Sequence, residues 1–169
     1  AEKTVVMPGT FNAAIGMLAE SIGFEAIYIS GAGLINGTAG YPDIGLLGME
    51  EIVRQAGYIA DAVDIPAIAD ADTGFGEAMN AARSIQEFEA AGLVGCHIED
   101  QLSPKRCGHL DNKVLIDRTD MVKKMRAAAD AKRDSNFLLI ARTDAKATEG
   151  LDSAIDRAKA YVDAGADAI

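Results

Sequence analysis

Ala90-Ala91-Gly92-Leu93-Val94-Gly95-Cys96 joins the end of a helix-periodic segment to a short apolar run through one glycine. The junction recurs at Ser21-Ile22-Gly23-Phe24-Glu25-Ala26-Ile27 and at Asp163-Ala164-Gly165-Ala166-Asp167-Ala168-Ile169. Successive copies lie roughly 70 residues apart, the length of about two βα units. A glycine at a helix C-terminus adopts the left-handed conformation that turns the chain back toward the next strand, which is the physical reason for the recurrence.

Outward from these junctions, short β-rich runs alternate with helical patterns. Strands are predicted near Val5–Met7, Ala26–Gly31, Pro66–Asp72, Val94–Glu99, Phe137–Thr143 and Ala166–Ile169. Between them, Asn12–Ile22, Met49–Ala62, Ala78–Ala91, Asp117–Arg133 and Leu151–Ala164 repeat apolar residues at spacings of three and four, the amphipathic-helix pattern. Helical charges such as Lys123-Lys124 and Lys132-Arg133 read as solvated faces. Alternating βα units make a parallel sheet, open or closed.

Polar residues choose between the two. Ser30, Asp70 with Asp72, Glu99 with Asp100, and Arg142 with Asp144 end successive predicted strands. A site gathered from four strand ends suits an α/β fold of the (β/α)8 TIM-barrel type, whose site lies at the C-terminal face. An open sheet would draw its site from only the strands beside one switch point. About six βα units fit into 169 residues, whereas such a barrel usually needs about 250. Residues 1–169 are therefore expected to form a single barrel domain truncated at its C-terminal end. The segments Asn36–Gly48 and Gln101–Ile116 are long for βα connections, and long ordered loops are usually functional.

Composition removes several functions. A formal net charge of −10 with no basic run gives nucleic acid or an anionic membrane no electrostatic purchase. The N-terminus lacks the pattern of a signal peptide and every apolar run is short, so a cytoplasmic protein is expected. Two cysteines without Cys-x-x-Cys spacing make neither a disulfide framework nor a structural zinc site.

Four stretches carry chemistry. Asp70-Ala71-Asp72-Thr73-Gly74-Phe75-Gly76 ends a strand with carboxylates at i and i+2, on one side of an extended chain, which suits a hard divalent cation. The same residues also serve as turn formers beside Gly74. Ser30-Gly31-Ala32-Gly33-Leu34-Ile35-Asn36 imitates a dinucleotide loop, but Asn36 stands where the last glycine belongs and Gly37–Pro42 reads as loop. Backbone N–H groups there still suit an anionic oxygen. Cys107 sits among Lys105, Arg106, Gly108 and His109, cationic surroundings that lower a thiol pKa, whereas Cys96 lies in an apolar run and reads as packing. His97 is equally a barrel residue or a site residue. Arg142 offers bidentate recognition of a carboxylate, or else pairs with Glu99 or Asp100.

Taken with Pro8-Gly9-Thr10-Phe11-Asn12, Pro42-Asp43-Ile44-Gly45, Ala141-Arg142-Thr143-Asp144-Ala145 and Glu149-Gly150-Leu151, these stretches resemble the isocitrate lyase/phosphoenolpyruvate mutase superfamily, in its 2-methylisocitrate lyase branch. The resemblance implies a (β/α)8 barrel that cleaves the C2–C3 bond of a 2-hydroxy di- or tricarboxylate to a 2-oxo acid and a dicarboxylate. It implies Mg²⁺, with Mn²⁺ able to substitute, held by Asp70 and Asp72 with Asp43 and Glu99 in the outer shell. Tyr28, Ser30, Gly31, Ala32, Gly108 and Arg142 would bind substrate, and Cys107, with Lys105 and His109 on a gating loop, would protonate the carbanion. A homotetramer is also implied. Ala32 departs from the glycine of many members, and Cys107 argues against the mutase branch. Residues that choose the substrate are expected beyond Ile169, which leaves cleavage of 2,3-dimethylmalate, hydrolysis or decarboxylation of oxaloacetate, and an inactive oligomer-forming barrel as alternatives.

Overall fold

The computed structural model describes residues 3–169. Five strands, β1 Gly9–Thr10, β2 Ile27–Ile29, β3 Ala67–Asp70, β4 Gly95–Glu99 and β5 Leu138–Arg142, form one parallel sheet in sequence order among the described residues. Helices α1 Ala13–Ile22, α2 Gly31–Leu34, α3 Met49–Ala60, α4 Ala78–Ala90, α5 Arg118–Ala131, α6 Ala145–Thr148 and α7 Leu151–Asp163 fill the crossovers. Sequential order with every pair parallel makes the sheet an arc of a TIM-type barrel rather than a doubly wound sheet, whose order reverses.

Strand periodicity divides the residues between two faces. Ile27, Ile29, Ala67, Ala69, Cys96, Ile98, Leu139 and Ala141 belong to the core cluster formed with the helices. The intervening Tyr28, Ile68, Asp70, His97, Glu99 and Arg142 lie outside that cluster, on the opposite, concave face. Cys96 is thus the packing residue it was read to be. Gly95 has a close neighbour: a Cβ there would stand 2.6 Å from the Leu138 carbonyl oxygen.

Helix ends follow their local chemistry. Asn12 Oδ1 accepts the Ile15 N–H at 3.0 Å and so caps α1 rather than lying within it. Gly48, without a side chain, caps α3 only in one direction, its N–H donating to Glu51 Oε2 at 2.8 Å. The recurring glycines have φ of 99° at Gly23, 86° at Gly92 and 111° at Gly165, as the left-handed turn requires.

Three expectations are corrected. The first strand is Gly9–Thr10, not Val5–Met7, because pairing aligns Gly9 with Tyr28 and leaves the apolar Val5 and Val6 exposed. Residues 31–39 are helical rather than loop: α2 passes into a π-turn over Ile35–Ala39. Ser30 Oγ caps it by accepting the Gly33 N–H at 3.2 Å, and complete burial of Leu34 and Ile35 overrides the weak propensity of the glycines. Lys124 is not on a solvated face but is 4% exposed, its ammonium donating to the Thr73 carbonyl at 3.2 Å, while Lys123 is exposed. Ala166–Ile169 enters the sheet as expected, through a parallel bridge of Ala168 to Ile140 and an Ala141 N–H to Ala168 O bond of 2.9 Å.

Candidate active site

At the C-terminal ends of the strands lies a cavity of about 340 Å³ lined by Tyr28, Ser30, Ala32, Asp43, Asp70, Lys105, Cys107, Gly108, His109 and Arg142. All ten were candidates from sequence. Gly31 packs beneath, where a Cβ would stand 2.9 Å from Asp70 Oδ2. A wider cleft of about 650 Å³ adjoins it, shares Lys105, and takes in Asp72, Thr73 and the start of α3. The smaller cavity is the candidate site because an acid, a thiol, an arginine and a hydroxyl converge there.

Asp70 and Asp72 do not share a strand face as their spacing suggested. Asp72 has φ of 48°, in the left-handed region, and this bend ends the strand period. The two therefore border adjoining cavities. Asp70 Oδ1 accepts the Asp72 N–H at 2.9 Å, so the turn-forming role and the site position coexist in one side chain. Lys105 links the carboxylates: its buried ammonium is hydrogen-bonded to Asp43 and stands 2.6 Å from Asp72 Oδ1. Burial pulls that ammonium down, but Asp72 and Asp43 outweigh it and hold it above the usual lysine range. Burial, aided by Asp70, pushes the Asp72 carboxyl up to about 6 against the pull of Lys105.

Arg142 pairs with Glu99, one of the two acids expected from sequence, and with Asp144 in place of Asp100. Nη1 lies 3.0 Å from Glu99 Oε2 and Nη2 3.1 Å from Asp144 Oδ2, while a third of the side chain stays exposed toward the cavity. Burial pushes Glu99 up to about 8 despite this neighbour. Asp100, in contrast, is withdrawn from the site. Completely buried, it accepts from Tyr161 Oη at 2.8 Å, Thr143 Oγ1 at 2.7 Å and the Asp144 N–H at 3.0 Å. The cationic cluster expected around Cys107 also disperses, since Lys105 is engaged by carboxylates and Arg106 is exposed with Nη1 on the Asp111 carbonyl. Cys107 itself is half-buried and faces the cavity, and His109 lies at its rim.

His97, for which the sequence allows either barrel packing or a place at the site, belongs to this face. Its Nε2 lies 2.6 Å from Tyr28 Oη and 3.4 Å from Asp70 Oδ1, with the two rings stacked. Burial lowers its pKa, favouring the neutral ring. The signal was available in the period of two that places His97 on the same face as Glu99.

Among the described residues no three His, Cys, Asp or Glu side chains converge as a closed metal cage. Mg²⁺ needs none, because it keeps several waters and takes one or two carboxylates together with substrate oxygens. Asp72 Oδ1 is buried with the Lys105 ammonium as its charged neighbour at 2.6 Å, and Asp43, Asp70 and Glu99 add further hard carboxylate oxygens. The residues present fit such a cation.

Comparison with known proteins agrees with this geometry. A model of the phosphoenolpyruvate phosphomutase family matches residues 1–169. The 2-methylisocitrate lyase of Shewanella oneidensis is 48% identical over 167 residues, 99% of this chain and 57% of that protein. Probable 2-methylisocitrate lyase 1 of Corynebacterium glutamicum is 53% identical over 164 residues, 96% of this chain and 53% of its own. Among solved structures, 2,3-dimethylmalate lyase superposes with a TM-score of 0.93 at 38% identity over 96% of this chain and 55% of that one. Oxaloacetate acetylhydrolase with 3,3-difluorooxalacetate gives 0.95 at 36% identity over 99% and 58%. Phosphonopyruvate hydrolase with oxalate and Mg²⁺ gives 0.89 at 34% identity over 98% and 56%. The chain spans little more than half the length of the curated relatives it matches.

Proposed function

The chain belongs to the phosphoenolpyruvate phosphomutase family, in the 2-methylisocitrate lyase branch of the isocitrate lyase/phosphoenolpyruvate mutase superfamily, and from that premise we propose that it carries the reacting centre of a C2–C3 lyase for a 2-hydroxy di- or tricarboxylate. The observation that carries the reading is the convergence of Asp70, Cys107 and Arg142 on one cavity.

Arg142, oriented by Glu99 and Asp144, presents its remaining donors to the carboxylate of the 2-oxo acid portion. Ser30, Gly31 and Ala32 bound the same end, and Tyr28, held by His97, offers its hydroxyl to a substrate oxygen. As the C2–C3 bond breaks, its electron pair stays on C3, and the C2 hydroxyl becomes the carbonyl of the 2-oxo acid by giving its proton to Tyr28 Oη, which passes its own to the neutral His97 Nε2 2.6 Å away. The Cys107 thiol then gives its proton to the C3 carbanion, leaving a thiolate to be reprotonated before the next turnover. The loop of Lys105, Gly108 and His109 excludes water from that carbanion. Asp70 and Asp72 would hold Mg²⁺, or Mn²⁺ in its place, with Asp43 and Glu99 behind them, and the cation supplies positive charge to a substrate that these carboxylates would otherwise repel.

Support for the metal comes from the Mg²⁺ complex of phosphonopyruvate hydrolase and from the buried, hard carboxylate oxygens of Asp70 and Asp72. No helix of the described residues is long and apolar enough to cross a membrane, and a cytoplasmic homotetramer completes the reading. The test is to offer the full-length enzyme 2-methylisocitrate, 2,3-dimethylmalate and oxaloacetate with Mg²⁺ and to identify products. Pyruvate with succinate supports the reading. Oxalate with acetate from oxaloacetate alone moves the chain to the hydrolase chemistry of its structural neighbour, and no turnover of any of the three overturns the enzyme reading.

A further inference from the structure

The segment 103–113 presents Cys107 to the cavity yet has little apolar anchorage. Leu102, Leu110 and Val114 are each half exposed or more. At its base, the Leu102 N–H donates to Val114 O at 2.7 Å and the Ile116 N–H to Asp100 O at 3.0 Å, with Gln101 bridged antiparallel to Leu115. These bonds hold the stem. Something else must hold the tip, because a loop that buries few apolar groups opens locally at small free-energy cost.

Two polar side chains reach the tip. Gln101 is 1% exposed, and its carbonyl accepts the Arg106 N–H at 3.0 Å while Nε2 donates to Arg106 O at 2.9 Å. The same Nε2 faces Glu99 Oε1 at 2.9 Å and Asp144 Oδ2 at 3.3 Å. Two carboxylates and a carbonyl on one side, with an N–H on the other, fix which way the amide points. On the descending limb, Lys113 Nζ donates to Gly108 O at 2.8 Å and Leu110 O at 3.0 Å and stands 3.9 Å from Asp144 Oδ1. Arg106 and Gly108 are the residues on either side of Cys107, and each is held by one of these groups.

We propose that Gln101 and Lys113 are positioning residues for the lyase reaction, fastening the backbone on both sides of Cys107 to Asp144, the carboxylate that also orients Arg142. Asp144 thereby registers the proton donor against the substrate-binding arginine. An amide is required at 101 because it alone both accepts from and donates to the Arg106 peptide group. A carboxylate there would face Glu99 and Asp144 with no proton to give. The inference rests on the lyase reading for its catalytic consequence, but the latch itself is visible without substrate.

The experiment compares full-length wild type with Gln101→Met and Lys113→Met. It measures iodoacetamide alkylation of Cys107 by peptide mass, thermal melting, and kcat and KM with the best substrate. Cys96, completely buried, serves as the internal reference. Each variant is expected to raise Cys107 alkylation at least ~10-fold through loop opening and to lower kcat by ~10²-fold through misplacement of the donor. KM and melting should change little, and Lys113→Arg should restore slow alkylation. If a methionine variant fails to fold, Gln101→Asn or Lys113→Gln replaces it, with the same alkylation readout. Alkylation unchanged from an active wild type overturns the latch. Faster alkylation in the variants of a wild type that turns over no 2-hydroxy acid upholds the latch and overturns the lyase reading instead.

Discussion

Gly108 is the place where one methyl group tests the geometry of the site. Its backbone does not require glycine, since its φ lies outside the left-handed region, so alanine acts through space alone. A Cβ there would stand 2.1 Å from Arg142 Nη2, where carbon and nitrogen ordinarily meet at roughly 3.5 Å. One partner must therefore retreat by more than about 1 Å. The guanidinium is the flexible end of its side chain, yet retreat would break its contacts of 3.0 Å to Glu99 and 3.1 Å to Asp144. Charged hydrogen bonds of that kind contribute about 1.5–3 kcal/mol each, whereas lifting the tip at Gly108 strains chiefly the bond from Lys113 to the Gly108 carbonyl, which a long flexible side chain can follow. The loop should rise, carrying Cys107 with it. A misplacement of this size predicts that Gly108→Ala lowers kcat/KM by ~10²-fold. Thermal melting should remain within about 2 °C, because few buried contacts are lost. In an Arg142→Ala background the clash disappears, so the same substitution should there cost less than about threefold, a strongly non-additive cycle. Wild-type kcat/KM in Gly108→Ala, or two substitutions whose effects simply multiply, would show that loop and arginine do not meet as described.

Cys107→Ser replaces a thiol with a far weaker acid, and kcat should fall by at least ~10² while substrate binding, measured by calorimetry, stays near that of wild type. Excess chelator should abolish turnover and Mg²⁺ or Mn²⁺ restore it, and Asp70→Asn or Asp72→Asn should weaken metal and substrate binding together; turnover that persists in chelator refutes the carboxylate assignment. The Asp72 carboxyl, raised by burial to about 6, must lose its proton to bind a cation, so below that pH apparent Mg²⁺ affinity should fall by up to about tenfold per pH unit. For metal-free protein the sign is opposite: a raised carboxyl pKa contributes stability below its unfolded value that is lost as pH rises through about 6. Melting curves with and without Mg²⁺ between pH 4 and 8 check both slopes.

Fold and site were legible to different depths because they are written at different ranges. Strand positions follow from local alternation and from the left-handed glycines Gly23, Gly92 and Gly165, signals carried within a few residues. Where that alternation was trusted alone it failed, as at Val5–Met7, whose apolar residues pair with no strand among the described residues. It failed in the other sense at Gly31–Ala39, where burial of Leu34 and Ile35 against the rest of the core makes helix from poor helix formers. Lys124 is of the same kind: nothing adjacent to it in sequence marks the carbonyl of Thr73, 51 residues away, that receives its ammonium.

Most residues facing the cavity were accessible because they end a strand or lie in the loop with unusual chemistry, whereas Tyr28 and Asp43 were reached only through the family resemblance. The residues that hold them in place were not accessible. Asp144 read as a strand-end acid beside Arg142, yet its position is set through a bond from its N–H to Asp100, which in turn depends on Tyr161 from α7. Asp100 read as a site residue because it follows Glu99, but adjacent residues on a strand face opposite ways, and the face toward the helices is where Tyr161 and Arg157 wait. The two neighbours therefore divide the work: Glu99 touches Arg142 on the concave face, and Asp100 anchors the same strand end on the helix side. A substitution at Asp100 should consequently act on the site only through Thr143 and Asp144, which accounts for a buried acid so close to the cavity that never lines it.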